Sequence, residues 1–89
     1  TITPFFLRGL ETLRTYFNHE RLPVCLVGAG VNNQYSKHDG FSHEAGDIPK
    51  ILKTLPNIHQ YFPLTVDGMH EMIDDIIKKK RAAFINIKK

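Results

Sequence analysis

The sequence predicts an α/β fold: a mostly parallel sheet with helices on both faces, a three-layer α/β/α arrangement. Three observations predict it. Segments with helical spacing alternate with short apolar runs, in the order helix, strand, loop, helix, strand, helix, strand. Alternation with short connections favours parallel strands joined by right-handed crossovers. Val24-Cys25-Leu26-Val27 is apolar without interruption, which suits a strand covered on both sides. A chain of 89 residues has room for one small domain at most, here residues 1–89.

Phe6, Leu10, Leu13 and Phe17 recur at i, i+4, i+7 and i+11, so they share one face of a first helix. Thr3 is its expected N-cap, with Pro4 at the first helical position. Pro23 forbids its continuation. The first strand follows at Val24 to Val27, and Gly28-Ala29-Gly30 leaves it. From Gly28 to His43 the chain has neither helical nor strand period and is rich in Gly, Asn, Ser, His and Asp. In so short a chain, a long irregular loop is more often functional than idle. Helical spacing returns at Ile48, Ile51, Leu52 and Leu55, with Pro49 in the first turn. Ile58 to Phe62 reads as a second strand closed by Pro63. Thr65 or Asp67 then caps a third helix carrying Met69, Met72, Ile73, Ile76 and Ile77, the cleanest amphipathic pattern in the chain, with the Met69/Met72 stripe expected to be core. Lys78 to Arg81 complement its dipole, and Ala82 to Ile87 is the last strand. The chain opens directly with a helix, from which a strand missing before it is expected.

Composition narrows the function classes. Hydrophobic residues make up 42% and charged residues 24%, which excludes a disordered chain. The net charge of +3 is too mild to compel nucleic acid. The single cysteine, Cys25, rules out an intrachain disulfide and a disulfide-stapled secreted scaffold, so a cytoplasmic setting is expected. In its apolar run Cys25 is expected to act as a small buried hydrophobe. Apolar runs fall far short of the ~20 residues of a membrane span, and Arg8, Glu11 and Arg14 break any signal-peptide pattern. His38, His43, His59 and His70 show no zinc-ligand pairing, so no metal site is expected.

The loop after the first strand is where chemistry is expected, because open α/β sheets bind ligands at the carboxyl ends of their strands. It delivers Asn32, Asn33, Tyr35, His38, Asp39, Ser42 and His43. Its glycines match neither a dinucleotide fingerprint nor a phosphate-binding P-loop. His43, four residues after Asp39, could hold a substrate phosphate or shuttle a proton beside a helix N-terminus. The plainer reading, commoner on local sequence alone, is a turn at Asp39-Gly40 with Ser42 capping the helix.

Leu22 to Pro63 resembles the pyrimidine-binding domain of transketolases and related thiamine diphosphate enzymes. Their pattern runs apolar strand, Gly-rich loop, Asp-Gly-Pro-Thr-His, an acid four residues on, then Leu-Pro-Asn and a strand ending in Pro. Here it reads Asp39-Gly40-Phe41-Ser42-His43, Asp47, Leu55-Pro56-Asn57 and Pro63. The preceding helix and the closing AAFINIKK fit the same frame, so the resemblance covers nearly the whole chain. It implies that Asp39 contacts the donor sugar's hydroxyl and that His43 contacts substrate, often its phosphate. It implies that Phe5 lines the aminopyrimidine pocket, and that Lys89, or Lys88, binds substrate phosphate.

The chain departs from the family at Phe41-Ser42, which replaces Pro-Thr. Ile2 and Arg8 stand where transketolases often have aromatics, and Val31 near a position where many have a histidine. The activating glutamate of the family lies on a strand upstream of this helix, and nothing here matches its diphosphate-binding Gly-Asp-Gly…Asn motif. The resemblance therefore implies part of a transketolase-like enzyme, inactive alone, that moves a two-carbon ketol unit between sugar phosphates. It implies thiamine diphosphate, Mg2+ held by a diphosphate-binding partner domain or subunit, and an oligomer. Two rivals remain: a relative of deoxyxylulose-phosphate synthase or of 2-oxoacid dehydrogenase, or a non-catalytic binding or assembly module that kept the fold.

Overall fold

The computed structural model describes residues 3–30 and 47–87. The chain opens with a continuous helical segment in three windings. A 3-10 helix (Thr3–Gly9) passes into a short α-helical turn, α1 (Leu10–Thr12), and then into a π-helix (Leu13–His19). The change of winding alters which residues face inward. Each 3-10 residue turns about 120°, against about 100° in an α-helix. Four such steps carry Leu10 away from the face that Phe6 occupies. Leu10 is accordingly exposed, and Leu7 packs against the core in its place. Leu13 is buried, and Phe6 and Phe17 are half-buried.

The segment ends through a wide turn. Glu20 N–H donates to the Thr15 carbonyl (2.9 Å) and Leu22 N–H to the Tyr16 carbonyl (3.1 Å). Arg21 takes the left-handed conformation between them (φ 58°).

Among the described residues three parallel strands follow: β1 (Cys25–Ala29), β2 (His59–Tyr61) and β3 (Ala83–Ile87), in spatial order β1-β3-β2. The α/β class and the parallel pairing expected from the sequence are therefore observed. Leu26 pairs with Phe84 and Gln60 with Phe84; Val27 and Tyr61 pair with Ile85. Helix α2 (Ile48–Lys53) links β1 to β2, and α3 (Val66–Lys79) links β2 to β3. The Asp47 side chain accepts from Lys50 N–H (3.1 Å), and Pro49 fits the first turn of α2, where its missing donor costs nothing. Thr65, one of the two expected caps, accepts from Gly68 N–H (2.9 Å) at the start of α3. Lys80, left-handed at φ 48°, ends α3.

The core gathers on one side of β3. Phe84 is 0% exposed and clusters with Leu13, Ile48, Leu52, Leu55, Ile58 and Ala82. Its ring meets Phe6 edge-on, centroids 4.8 Å apart at 73°. A reciprocal pair ties the first helical segment to the α2–β2 connection. Asn57 N–H donates to Asn18 Oδ1, and Asn57 Nδ2 to the Asn18 carbonyl, both at 2.9 Å.

Three expectations need correction. β1 is not covered on both sides: Cys25 and Val27 are exposed. Cys25 is thus not the buried hydrophobe that its apolar run implies. Their inward-pointing alternates, Leu26 and Gly28, carry the packing instead. Third, α3 does not bury its whole apolar set. Met72 is buried, but Ile73 and Ile77 are exposed, since α3 meets β2 and the end of β3 and leaves the side carrying these two residues uncovered.

Candidate functional site

The carboxyl ends of the strands lie at one end of the sheet, because all three run the same way. β1 leaves this end through Gly30, whose φ of 82° favours glycine. Gly30 N–H donates to the carbonyl of Ile87, the last residue of β3 (2.9 Å). The exits of β1 and β3 are thus hydrogen-bonded neighbours. Asp39, His43 and Lys89, three of the four site residues expected from the sequence, lie outside the described residues, as do His38, Ser42 and Lys88.

Phe5, the fourth, is described. It is half-buried in an open cleft of about 300 Å³, lined also by Phe6, Leu13, Phe17 and Leu26. The lining is mostly apolar, with Thr12 its polar member, and holds no carboxylate among the described residues. The Arg8 guanidinium carbon lies 5.0 Å from the Phe5 ring centroid, a cation–π contact. This cleft shares no residue with the two clefts at the carboxyl end of β2.

Those two clefts flank the first turns of α3. One, of about 500 Å³, is lined by Tyr61, Phe62, Pro63, Glu71, Met72 and Asp75 among others. The other, of about 510 Å³, includes Leu64, Met69, His70, Ile73 and Ile87. Asp75 anchors this region. It accepts from Tyr61 Oη (2.6 Å) and Lys79 Nζ (2.9 Å), and Arg81 lies 3.9 Å away. The Tyr61 and Lys79 hydrogen bonds hold its carboxyl below the usual carboxylate range. At the opposite end of β2, burial and the charges of Arg81 and Lys79 hold the His59 imidazole below its ordinary value.

One polar residue passed over in the sequence stands out in the structure. Asn86, on β3, is 2% exposed. Its Nδ2 faces the Tyr61 carbonyl (3.2 Å), the Phe84 carbonyl (3.4 Å) and Gln60 Oε1 (3.5 Å), while its Oδ1 is buried without a hydrogen-bond partner. Gln60 in turn donates to the Pro49 carbonyl (2.9 Å), so a polar ladder joins β3, β2 and α2. The signal in the sequence was the lone asparagine in AAFINI. Its depth depends on β3 being the central strand, which local pattern does not specify.

Among the described residues, no group of three or more His, Cys, Asp or Glu side chains could hold a metal ion. Nor is any described helix long and apolar enough to cross a membrane. Comparison with protein-family models, curated proteins and solved structures finds no match to this chain. The functional reading therefore rests on the chain's own residues and on the motif resemblance.

Proposed function

We propose that this chain is the larger part of a pyrimidine-type domain of a transketolase-like enzyme, with the three-layer α/β/α arrangement of that fold. In this reading it is inactive alone. It serves an assembly that transfers a two-carbon ketol unit between sugar phosphates. The supporting observation is the Gly30–Ile87 hydrogen bond. It sets the starts of the segments holding Asp39 and His43, and Lys88 and Lys89, side by side. Substrate contacts from both segments then need no rearrangement of the sheet.

The described part of the Phe5 cleft suits the apolar ring of an aminopyrimidine. Phe5, Phe17 and Leu26 would bind and orient that ring and exclude water from it. Among the described lining residues only Thr12 is polar, and in this reading the chain would supply binding while the activating acid comes from outside it. Thiamine diphosphate, held with Mg2+ by a partner domain, supplies the electron sink for ketol transfer when bound. His43 and Lys89 would hold the substrate phosphate, and Asp39 would accept from a sugar hydroxyl.

A non-catalytic assembly module is the second reading, and one observation favours it. The Arg8 guanidinium already stacks on the Phe5 ring, so Phe5 has a partner within the chain and needs no cofactor ring to explain its place. Calorimetric titration decides between the two. Thiamine diphosphate with Mg2+ is added to the chain alone and to the chain mixed with its diphosphate-binding domain. Heat from the mixture and none from the chain alone is the expected result. No heat from an intact, folded pair overturns the enzyme reading.

A further inference from the structure

The amino ends of the strands lie opposite the carboxyl-end clefts, and each described strand is entered there from the end of a helix. This end carries Arg21, Lys53 and the run Lys78 to Arg81, against Glu20, Asp74 and Asp75. In the rest of the sequence cations and acids balance, so the net charge of +3 is collected at one end. Two of the acids there are engaged: Asp75 with Tyr61 and Lys79, and Glu20 with His19 at 3.5 Å. Arg21, Lys53, Lys78 and Lys80 are exposed and form no ion pair among the described residues, although Asp74 stands one turn before Lys78.

Helix dipoles account for cations in the last turns of helices. They do not require a cation in the left-handed conformation, where glycine is the usual residue. Yet Arg21 (φ 58°) and Lys80 (φ 48°) are the described non-glycine residues with positive φ, and both are cations. Their places correspond. Ala83 N–H donates to the Val24 carbonyl (2.8 Å), and Arg21 and Lys80 each stand three residues before that bonded pair. The neighbouring leads into β1 and β3 thus each present a cation at a position that favours glycine. An exposed ring belongs to the same turn. Tyr16 is 57% exposed, and its carbonyl accepts from Leu22 N–H (3.1 Å) in the turn that holds Arg21. With His19 it lines an open cleft of about 420 Å³. We propose that this end of the sheet binds single-stranded nucleic acid, with Arg21, Lys78 and Lys80 on phosphates and a base stacked on Tyr16. Exposed cations beside an exposed ring suit a single strand, because charge holds its backbone and every base offers a face to stack. An acidic protein segment would use the cations and have no need of the ring. The surface lies at the opposite end of the sheet from the thiamine diphosphate reading and is independent of it.

Fluorescence anisotropy of a labelled oligothymidylate of about 12 nucleotides, titrated with the full chain, tests the proposal. Saturable binding is expected at low salt. Its log affinity should fall with log salt at a slope of about −2, for three phosphates neutralised. Arg21→Gly and Lys80→Gly should each bring that slope nearer zero by about 0.7. Their melting temperature should be equal or higher, since glycine relaxes the left-handed backbone. Lys78→Gln, at an exposed helical position, should change the slope by the same amount without touching either turn. Tyr16→Ala should weaken binding about tenfold. Absence of binding at low salt overturns the proposal, and so does binding that these variants leave unchanged. Equal affinity for a polyglutamate peptide of the same length, unaffected by Tyr16→Ala, overturns it in favour of an acidic protein partner.

Discussion

The contact between Phe6 and Phe84 joins the first helical segment to the central strand, and its contribution can be measured. Phe84 is wholly buried, and the two rings meet edge-on at 4.8 Å. Phe84→Leu keeps an apolar side chain but a smaller one, at a cost of about 1 kcal/mol for lost burial and repacking. It also removes the ring pair, worth about 1 kcal/mol beyond burial. The sum, about 2 kcal/mol, should lower Tm by roughly 8–16 °C in a domain of this size. Phe6→Leu, at a half-buried site, should cost somewhat less. Because both single variants lose the same ring pair, the double variant should cost about 1 kcal/mol less than their sum. Urea unfolding followed by circular dichroism supplies all four corners of the cycle. Costs that add to within about 0.3 kcal/mol would refute the claim that this pair holds the first helix to the sheet.

Three further outcomes are expected. Asn18→Ala deprives the Asn57 amide of its acceptor, and Asn57→Ala leaves the Asn18 carbonyl without its donor; each should cost about 1 kcal/mol in urea unfolding. His59 resists protonation in the folded chain, so the unfolded chain binds more protons near pH 6.5. Stability should therefore be fully present above that pH and decline as pH falls through it, and His59→Gln should flatten this part of the profile. An unchanged profile in the variant would assign the decline to other groups. Gly9 sits at φ −100°, and a Cβ there would meet nothing within 4 Å. Gly9→Ala should raise stability by about 0.5 kcal/mol in thermal melts, since alanine gives up less backbone entropy on folding.

Local pattern located each helix and strand to within a few residues, because period and caps are properties of adjacent residues. Pro49, Thr65 and the run after Arg81 were legible for that reason. What failed depended on neighbours remote in sequence. Leu10 turned outward because the winding changed upstream of it. Ile73 and Ile77 stayed exposed because no other described element covers that side of α3. The Tyr61–Asp75 bond spans fourteen residues and two elements, so no periodicity could announce it. Of the candidate site, Phe5 alone is described. The motif resemblance singled out Phe5, but the Arg8 contact on its ring follows from the tight turn of the 3-10 helix, which brings residues three apart onto one side.

Among the described strands the central one, β3, couples fold to site. β1 and β2 both pair with β3, and the core cluster closes on Phe84. The same strand holds Asn86, whose Nδ2 reaches the Tyr61 carbonyl. It ends at Ile87, which receives Gly30 from β1. Asn86 is therefore poorly placed to be merely an oddity of the core. An isosteric leucine would remove the orphaned oxygen, but it would also release the carbonyl at the end of β2, from which the chain turns into Pro63 and the cap of α3. Asn86 thus bonds the last residue of β2, and the next residue of its own strand bonds β1, both at the end where an open parallel sheet binds its ligand.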